Sequence, residues 1–404
     1  MKNVTGGVTA AKGFTAGGVH CGIRKSRSKR DLGLIYSEVP AQAAAVYTTN
    51  LVKGAPLLVT KKHLADGVAQ ACIINSGNAN TCNANGEEIA EQTSALVASA
   101  LGIRAEDVVV ASTGVIGQPM SIEPFEKGIP ALVKDLSADG SARVAEAIMT
   151  TDTVKKEIAI SFELGGKTVT LGGVAKGSGM IHPNMATMLV FLTTDCAITS
   201  EMLGKALSTD VKSSFNMVSV DGDTSTNDMV TILANGLAGN PQITAEGEDF
   251  TLFMRALNSV TVALCKALAA DGEGATKFLE CSVSGAKTLS DAKKAAKAVI
   301  CSSLVKAAMF GSDANWGRVL CAIGYSGAET DVTKIDVAFV SKNGSIEVCK
   351  DGASLDFSEE KAKEILSEKE ITIRVTMHDG EASSVAWGSD LTYDYVRING
   401  DYRT

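Results

Sequence analysis

The order of hydrophobic and polar positions along this 404-residue chain predicts short buried strands mixed with amphipathic helices. Continuous apolar runs at 69–75 (AQACIIN) and 107–112 (DVVVAS) are typical of strands that are buried on both faces. Each run leads through a polar or glycine-containing loop into a helical pattern, at 86–101 and at 121–136. The first third of the chain is therefore expected to mix strands and helices.

Further along, the stretch 155–175 (KKEIAISFELGGKTVTLGGVA) predicts a β-hairpin that turns at Gly165 and Gly166. Two longer helical patterns follow it, at 200–215 and at 249–268.

After GSDANWGR at 311–318, the pattern alternates strands with one helix, SEEKAKEIL, for which Ser358 is the expected N-cap. Strands and helices do not alternate regularly enough along the whole chain for a doubly wound parallel sheet. The pattern therefore predicts a layered α+β fold.

The segment 176–195 (KGSGMIHPNMATMLVFLTTD) joins loop-forming residues to a buried strand. Residues 177–184 are rich in glycine, serine, proline and asparagine, whereas 188–192 form a continuous apolar run. Thr187 lies at the junction, after the small Ala186. Threonine suits strand starts, but a hydroxyl held by a stiff element can also be a nucleophile.

A nucleophilic Thr187 needs a base, and the neighbouring sequence offers none. Cleavage of the chain before Thr187 would supply one, because the new α-amine would lie beside Oγ with a pKa of about 8. The local sequence by itself favours the strand-start interpretation.

The composition, 45% hydrophobic and 21% charged, is typical of soluble globular proteins. The formal net charge of -8 argues against a nucleic-acid surface, which needs a basic stripe. The basic cluster RKSRSKR at 24–30 is interpreted as a solvated loop, with anion binding as the less favoured alternative. No stretch has the apolar length of a signal peptide or a membrane helix, so we expect a cytoplasmic protein without a membrane partner.

Cysteine and histidine positions argue against a disulfide framework and a metal site. The nine cysteines are odd in number, widely spaced and never in a C-x-x-C pair, which indicates reduced thiols. The four histidines have no Cys, Asp or His partner at metal-ligand spacing: His20, His63, His182 and His378. KGSG at 176–179 lacks the residue order of a phosphate-binding P-loop.

The stretch KGSGMIHPNMATML resembles the cleavage motif of the ornithine acetyltransferase family, which cuts itself between the alanine and the threonine. Five further stretches resemble the same family, in the family's order and over nearly the whole chain: INSGNANTCNANG (74–86), ASTGVIG (111–117), IMTTDT (148–153), DGEGATK (271–277) and YVRINGDYRT (395–404). The resemblance implies cleavage between Ala186 and Thr187 into an alpha chain, 1–186, and a beta chain, 187–404.

The resemblance also implies roles for single residues. Thr187 matches the nucleophile, and Thr113 and Gly114 match the pair that forms the oxyanion hole. A hydroxyl and a backbone N–H after a strand are suitable donors for an oxyanion, although the same stretch is also compatible with a plain strand-to-helix turn. The implied substrate-binding residues are Thr150, Lys176, Thr187, Glu273, Asn399 and Thr404. Thr151 and Thr153 compete with Thr150 for its role.

The implied reaction is acetyl transfer from N2-acetyl-L-ornithine to L-glutamate through an acetyl-threonine. It needs no cofactor or metal, and it leaves acetyl-CoA open as a further co-substrate. Both substrates carry an α-carboxylate, for which Lys176 is the best-placed cation. Glu273 suits the ornithine ammonium but would repel the side chain of glutamate, and the sequence does not resolve that conflict.

For the fold, the resemblance implies an αββα-type sandwich with a smaller C-terminal α/β domain at about 325–404. It also implies a heterotetramer of alpha and beta fragments. Two alternatives stay open: an amidohydrolase or aminopeptidase with an N-terminal nucleophile on the same fold, and an uncleaved binding protein in which the motif is vestigial.

Overall fold

The computed structural model describes residues 1–26, 28–182 and 188–401. Its strands are β1 (Lys2–Val4), β2 (Phe14–Val19), β3 (Leu32–Tyr47), β4 (Val68–Asn78), β5 (Val108–Val115), β6 (Lys156–Leu164), β7 (Lys167–Lys176), β8 (Leu189–Thr194), β9 (Val218–Ser219), β10 (Met229–Ala234), β11 (Phe278–Ala286), β12 (Asp336–Ser341), β13 (Gly344–Lys350), β14 (Ala353–Ser354), β15 (Glu370–Thr376) and β16 (Ala382–Ser389). Its helices are α1 (Ala55–His63), α2 (Gly86–Leu101), α3 (Glu123–Asp135), α4 (Ser141–Ala147), α5 (Ser200–Asp210), α6 (Glu248–Ala270), α7 (Leu289–Cys301), α8 (Ser303–Phe310), α9 (Trp316–Gly324), α10 (Glu359–Leu366) and α11 (Tyr393–Asp401).

These strands form two sheets. The first has the order β1-β6-β7-β8-β10-β3-β4-β5, with β2 also paired to β3. Its β8–β10 and β4–β5 pairs are parallel, and its other pairs are antiparallel. The second sheet has the order β14-β13-β12-β15-β11-β16-β9. The layered α+β prediction is confirmed.

Helix α6 joins the two sheets, because it packs on β6 and β7 of the first sheet and on β11 and β16 of the second. In the described part of the chain it is the helix that is long and apolar enough to cross a membrane by length and composition. Its Phe253, Leu257 and Leu264 are at most 1% exposed and belong to the hydrophobic core that both sheets share. The apolar face of α6 is thus used inside the protein.

Several predicted elements are confirmed. β4 and β5 contain the two apolar runs, and α2 covers 86–101. The hairpin turns at Gly165 and Gly166, whose φ angles of 57° and 75° are in the left-handed region that favours glycine. Ser358 caps α10 by accepting a hydrogen bond from the Lys361 N–H.

Two helical predictions differ from the structure. The helix predicted at 200–215 ends at Asp210, where the hydroxyls of Ser213 and Ser214 donate to the Asp210 carbonyl. Such local side-chain bonds compete with helix continuation. The prediction of a single helix in the last part of the chain is wrong, because α11 forms there as well, although none of its residues is buried.

A buried ionic cluster centred on Lys156, the first residue of β6, connects this strand to three other segments. The Lys156 ammonium lies 2.7 Å from an Asp152 oxygen and 2.5 Å from an Asp271 oxygen, and its side chain is 1% exposed. Asp152 also accepts hydrogen bonds from the backbone N–H groups of Thr150, at 3.0 Å, and Gly177, at 2.7 Å. The cluster therefore fixes the loop before β6, the end of β7 and the end of α6.

The charges of this cluster determine the ionisation of Asp152. Burial by itself raises the pKa of the Asp152 carboxyl. The charges of Lys176 and Lys156, and the hydrogen bonds from Lys156 and Gly177, outweigh burial and lower this pKa to about 2. Asp152 is therefore a carboxylate over the whole neutral range.

Replacing Lys156 by methionine should lower the free energy of unfolding by about 3–5 kcal/mol, because two buried carboxylates would lose their counter-charge. Urea denaturation at pH 7 measures this change. Lys155→Met is the matched control, since Lys155 is exposed, and it should stay within about 0.5 kcal/mol of the unsubstituted protein. Equal stability of the two variants would contradict the importance of the cluster.

The same cluster predicts a pH dependence. The folded-state pKa of Asp152 is depressed, so its contribution is present above the unfolded-state pKa of about 3.9 and is lost as the pH falls towards about 2. The unfolding free energy of the unsubstituted protein should therefore decline over that window. Lys156→Met should weaken the decline, because it removes one source of the depressed pKa.

Candidate active site

A cavity of about 130 Å³ lies near the start of β8, between the ends of β5 and β7 and the residues before β10. Among the described residues it is lined by side chains or backbone of Ala79, Thr113, Gly114, Ile116, Thr150, Thr151, Lys176, Gly179, Met180, Met188, Leu189, Ser225, Thr226, Asn227, Asp228, Glu273 and Asn399. Hydroxyls, amides, one ammonium and two carboxyls meet in it. It is small, polar and suited to an amino-acid-sized ligand.

The cavity brings together every predicted site residue that the structure describes. These six residues are Thr113, Gly114, Thr150, Lys176, Glu273 and Asn399. Ala186, Thr187 and Thr404 lie outside the described residues. The roles assigned to all nine stay predictions, but the six are far apart in sequence and their meeting in one cavity is a property of the fold.

Of the three competing threonines, Thr150 and Thr151 line the cavity. Thr150 is held through its N–H by Asp152, and the Thr151 hydroxyl lies 2.7 Å from the Ser178 hydroxyl. Thr153 does not line the cavity; its hydroxyl and N–H donate to Asp271 instead.

Gly114 occupies a position that only glycine fits. Its φ of 135° is rare for residues with a side chain. An added Cβ would also lie 2.3 Å from the carbonyl carbon of Gly77 in the neighbouring β4. The backbones of β4 and β5 thus approach closely beside the cavity, at the residue predicted for the oxyanion hole.

Lys176, the last residue of β7, extends its buried ammonium towards Thr113, with a distance of 3.3 Å from Nζ to Oγ1. Because the lysine donates, the Thr113 hydroxyl keeps its own proton for another acceptor. Burial lowers the pKa of Lys176, while Asp152 opposes the shift and Lys156 adds to it. A desolvated cation and a free hydroxyl donor together favour an anionic ligand group.

Glu273 and Asn399, which lie late in the sequence, form one side of the cavity. The Asn399 side-chain N–H₂ donates to a Glu273 carboxylate oxygen at 2.7 Å. The Glu273 N–H donates to the Ser178 carbonyl at 2.8 Å. A Cβ at Gly179 would lie 2.2 Å from that carboxylate, so glycine makes the room that Glu273 occupies. This contact brings α11, which the pattern missed, against the cavity.

The polar segment 225–228 (STND) also lines the cavity, and the sequence analysis did not single it out. The Asn227 side-chain N–H₂ donates to the carbonyls of Ala79, at 2.6 Å, and Ser112, at 3.0 Å. Its oxygen accepts from the hydroxyls of Thr81 and Thr226, each at 2.6 Å. A signal existed, because this segment places four polar residues directly before an apolar strand.

The basic loop at 24–30 borders a second, larger cavity of about 420 Å³ next to the first. Arg24, Lys25 and Lys29 line it together with Thr150 and Thr151. Arg30 is paired with Glu146 instead. Within residues 1–26, 28–182 and 188–401, no group of three or more His, Cys, Asp or Glu side chains could hold a metal ion.

The comparisons with known proteins all indicate the same family. The model of the ArgJ family matches residues 15–404. The arginine biosynthesis bifunctional protein ArgJ of Symbiobacterium thermophilum is 52% identical over 406 residues, with 100% of both chains covered. The protein of the same name from Caldanaerobacter subterraneus subsp. tengcongensis is 50% identical over 405 residues, again with 100% of both covered.

Two solved structures are also similar. The crystal structure of the arginine biosynthesis bifunctional protein ArgJ from Bacillus halodurans is 47% identical with a TM-score of 0.50, and the match covers 52% of this chain and 98% of that one. The ornithine acetyltransferase of Mycobacterium tuberculosis, complexed with ornithine, is 40% identical with a TM-score of 0.42, covering 45% of this chain and 96% of that one.

Gly114→Ala should destabilise the protein more than Gly117→Ala, although both glycines have positive φ angles, of 135° and 77°. Nothing lies within 4 Å of a Cβ at Gly117. The free energy of unfolding of Gly117→Ala should therefore fall by only about 1–2 kcal/mol, the cost of the strained backbone. Gly114→Ala adds the clash with the β4 backbone, and its melting temperature should fall further. Equal melting temperatures of the two variants would show that β4 and β5 can move apart to make room for the Cβ without a loss of stability.

Proposed function

The chain belongs to the ArgJ family, and we propose that it transfers the acetyl group of N2-acetyl-L-ornithine to L-glutamate through an acetyl-threonine on Thr187. As a member of that family it is a glutamate N-acetyltransferase of arginine biosynthesis; the covalent route, the self-cleavage and the residue roles are the proposal. The observation that carries it is the single cavity in which six predicted site residues from five distant segments meet.

The nucleophile of the proposed route is Thr187, freed by cleavage after Ala186. Met188, to which Thr187 is bonded, lines the cavity, and the next residue begins the buried strand β8. A rigid strand is a good support for a nucleophile. The α-amine that cleavage exposes would accept the Oγ proton as Oγ attacks the acetyl carbonyl.

The oxyanion that forms in this attack would be stabilised beside Thr113 and Gly114. Among the described residues the Thr113 hydroxyl proton has no acceptor, and the Lys176 ammonium lies 3.3 Å from the Thr113 oxygen. Donors fixed before the reaction in a site that excludes water contribute most to such stabilisation. Lys176 also suits the α-carboxylate that both substrates carry.

Two chains produced by the cut would remain together, because the first sheet uses strands from both. β8 pairs with β7 on one side, and β10 pairs with β3. The match of the solved Bacillus halodurans chain also supports a two-chain protein: 98% of it corresponds to only 52% of this chain. We propose that these fragments form a heterotetramer in the cytoplasm.

The proposed reaction needs no metal or other cofactor, because Thr187 itself carries the acetyl group between the two substrates. Acetyl-CoA is a further proposed donor, which fits the word bifunctional in the names of the relatives.

The function is tested by mass spectrometry of the denatured protein. Two chains, 1–186 and 187–404, should be found, and N2-acetyl-L-ornithine alone should add one acetyl group to the second at its first residue. Thr187→Ala should remain whole and inactive, since it lacks the attacking oxygen. Cleavage of Thr187→Ala at the same bond would overturn self-cleavage. Release of free acetate without N-acetyl-L-glutamate would indicate a hydrolase instead.

Glu273→Gln should separate the two substrates. The variant keeps the shape and an oxygen for Asn399 but loses the charge that suits the ornithine ammonium. We expect the KM for N2-acetyl-L-ornithine to rise about 10-fold to 100-fold, the effect of losing a charged hydrogen bond of about 1.5–3 kcal/mol. The KM for L-glutamate should be unchanged or lower. Equal increases for both substrates would contradict a charge contact with ornithine alone.

A further inference from the structure

The proposed reaction raises a question of proton balance. N2-acetyl-L-ornithine enters as an amide with one N–H, and near neutral pH ornithine leaves as an α-ammonium with three. The Thr187 hydroxyl supplies one of the two protons needed, and the other comes either from an enzyme group or from solvent. When L-glutamate enters as an ammonium ion, the same group or solvent must take that proton back. A group that can hold one proton inside the cavity would serve both half-reactions.

Asp228 lines the cavity, and one of its carboxyl oxygens has no hydrogen-bond partner among the described residues. The residue is 2% exposed and lines the cavity. Its Oδ2 is buried and has no hydrogen-bond partner in the described part of the chain. Buried polar atoms without partners are rare and costly, so an unpartnered carboxyl oxygen on a residue that lines a ligand cavity points to a role with the ligand.

The backbone around Asp228 is fixed. Its carbonyl accepts a hydrogen bond from the Thr48 N–H at 3.0 Å. The next residue, Met229, begins β10, and its N–H donates to the Met188 carbonyl at 2.9 Å. Since β10 and β8 are parallel with Met229 opposite Leu189, Asp228 flanks Met188, the residue directly after Thr187. The preceding Asn227 is held by four hydrogen bonds.

A comparison with Asp152 shows why the two buried aspartates behave differently. Asp152 is held by the Lys156 ammonium and two backbone N–H groups, and its pKa is lowered. Burial raises the pKa of Asp228 well above its usual value, and Ser225 and the charge of Lys176 oppose that shift only in part. Of these two buried aspartates, Asp228 is therefore the one whose carboxyl can hold a proton.

We propose that the Asp228 carboxyl is the proton carrier of the site, giving a proton to the departing amine nitrogen and taking it back from the arriving one; this inference rests on the proposed function. In the first half-reaction the Thr187 Oγ–carbon bond forms and the acetyl carbon–nitrogen bond breaks. The Oγ proton and the Asp228 proton both end on nitrogen, which leaves acetyl-Thr187, an Asp228 carboxylate and an ammonium ion. The second half-reaction reverses these steps with L-glutamate, so protons and charge balance.

Other titratable groups border the same space and must be distinguished from Asp228. Lys176 and Glu273 line the cavity, with Asp152 and Lys156 behind Lys176. Glu273 is partly exposed and accepts a hydrogen bond from Asn399. Lys176 points to Thr113, at the side predicted to hold the oxyanion. The α-amine of Thr187 takes the Oγ proton, but it does not supply the second proton.

The test compares two acetyl donors with the cleaved enzyme. The amine of N2-acetyl-L-ornithine must be protonated to leave, whereas the nitrophenolate of p-nitrophenyl acetate leaves without a proton. Asp228→Asn keeps the shape and removes the transferable proton. It should lower kcat/KM for N2-acetyl-L-ornithine about 100-fold or more, the usual size of general-acid catalysis. The kcat/KM for acetylation by p-nitrophenyl acetate should change by less than about threefold, because no general acid is needed for that leaving group.

Asp223→Asn is the matched control, because Asp223 is an exposed carboxylate in the same loop, and it should leave both rates unchanged. Equal losses with both donors in Asp228→Asn would overturn the proposal in favour of a structural role, and so would a loss with neither.

The unsubstituted enzyme decides the matter even if Asp228→Asn stays uncut. Its kcat for N2-acetyl-L-ornithine at saturating concentration should fall at alkaline pH as Asp228 loses its proton, whereas acetylation by p-nitrophenyl acetate should show no such fall. Loss of the Lys176 charge would instead raise the KM, because Lys176 is proposed to bind the α-carboxylate. Identical alkaline profiles would overturn the proton-carrier role while leaving acetyl transfer intact. Absence of any N-acetyl-L-glutamate product would instead overturn the proposed function itself.

Discussion

The ion pairs of the buried Lys156 ammonium with two aspartates are the interactions on which both the fold and the cavity depend. Two carboxylates, Asp152 and Asp271, neutralise the ammonium, and neither uses all of its acceptor capacity in doing so. The remaining capacity holds backbone N–H groups: Asp152 holds Thr150 and Gly177, while Asp271 holds Thr153. The charge that the interior must neutralise thus also fixes the backbone on two sides of the cavity.

The cavity contains two groups that burial drives towards their neutral forms. Burial lowers the pKa of Lys176 and raises that of Asp228. When a cavity holds one basic and one acidic group of this kind, moving one proton between them converts an uncharged pair into an ion pair. The total charge of the cavity does not change. That property suits a reaction whose substrates share an α-carboxylate but differ in the charge of their side chains.

The sequence predicted the parts of the fold that leave a hydrophobic period. The runs that became β4 and β5, the hairpin at Gly165–Gly166 and helix α2 are all apolar patterns with clear ends. The residues that meet in the cavity could be named only through the family resemblance, since Thr113 and Glu273 are 160 positions apart and no local pattern joins them.

What the sequence did not predict has physical causes. Helix α11 is short and has no buried residue, and it is held by tertiary contacts that no local pattern shows, among them Asn399 with Glu273 and Tyr395 with Asp221. Asp228 was missed because a polar residue before a strand is ordinarily solvated. Only the tertiary structure shows that residues 226–228 are buried. Burial of a charge is a property of the packed chain, and composition does not record it.

The interleaved first sheet has a consequence for the life of the molecule. β8 begins just after the proposed cut and pairs with β7, which ends before it. Under the proposed mechanism, a chain that has not assembled this sheet cannot form the geometry that cuts it, and an uncut chain has no free α-amine at Thr187. Maturation would therefore act as a proofreading step, in which only correctly assembled molecules acquire a working nucleophile and misfolded ones stay inert.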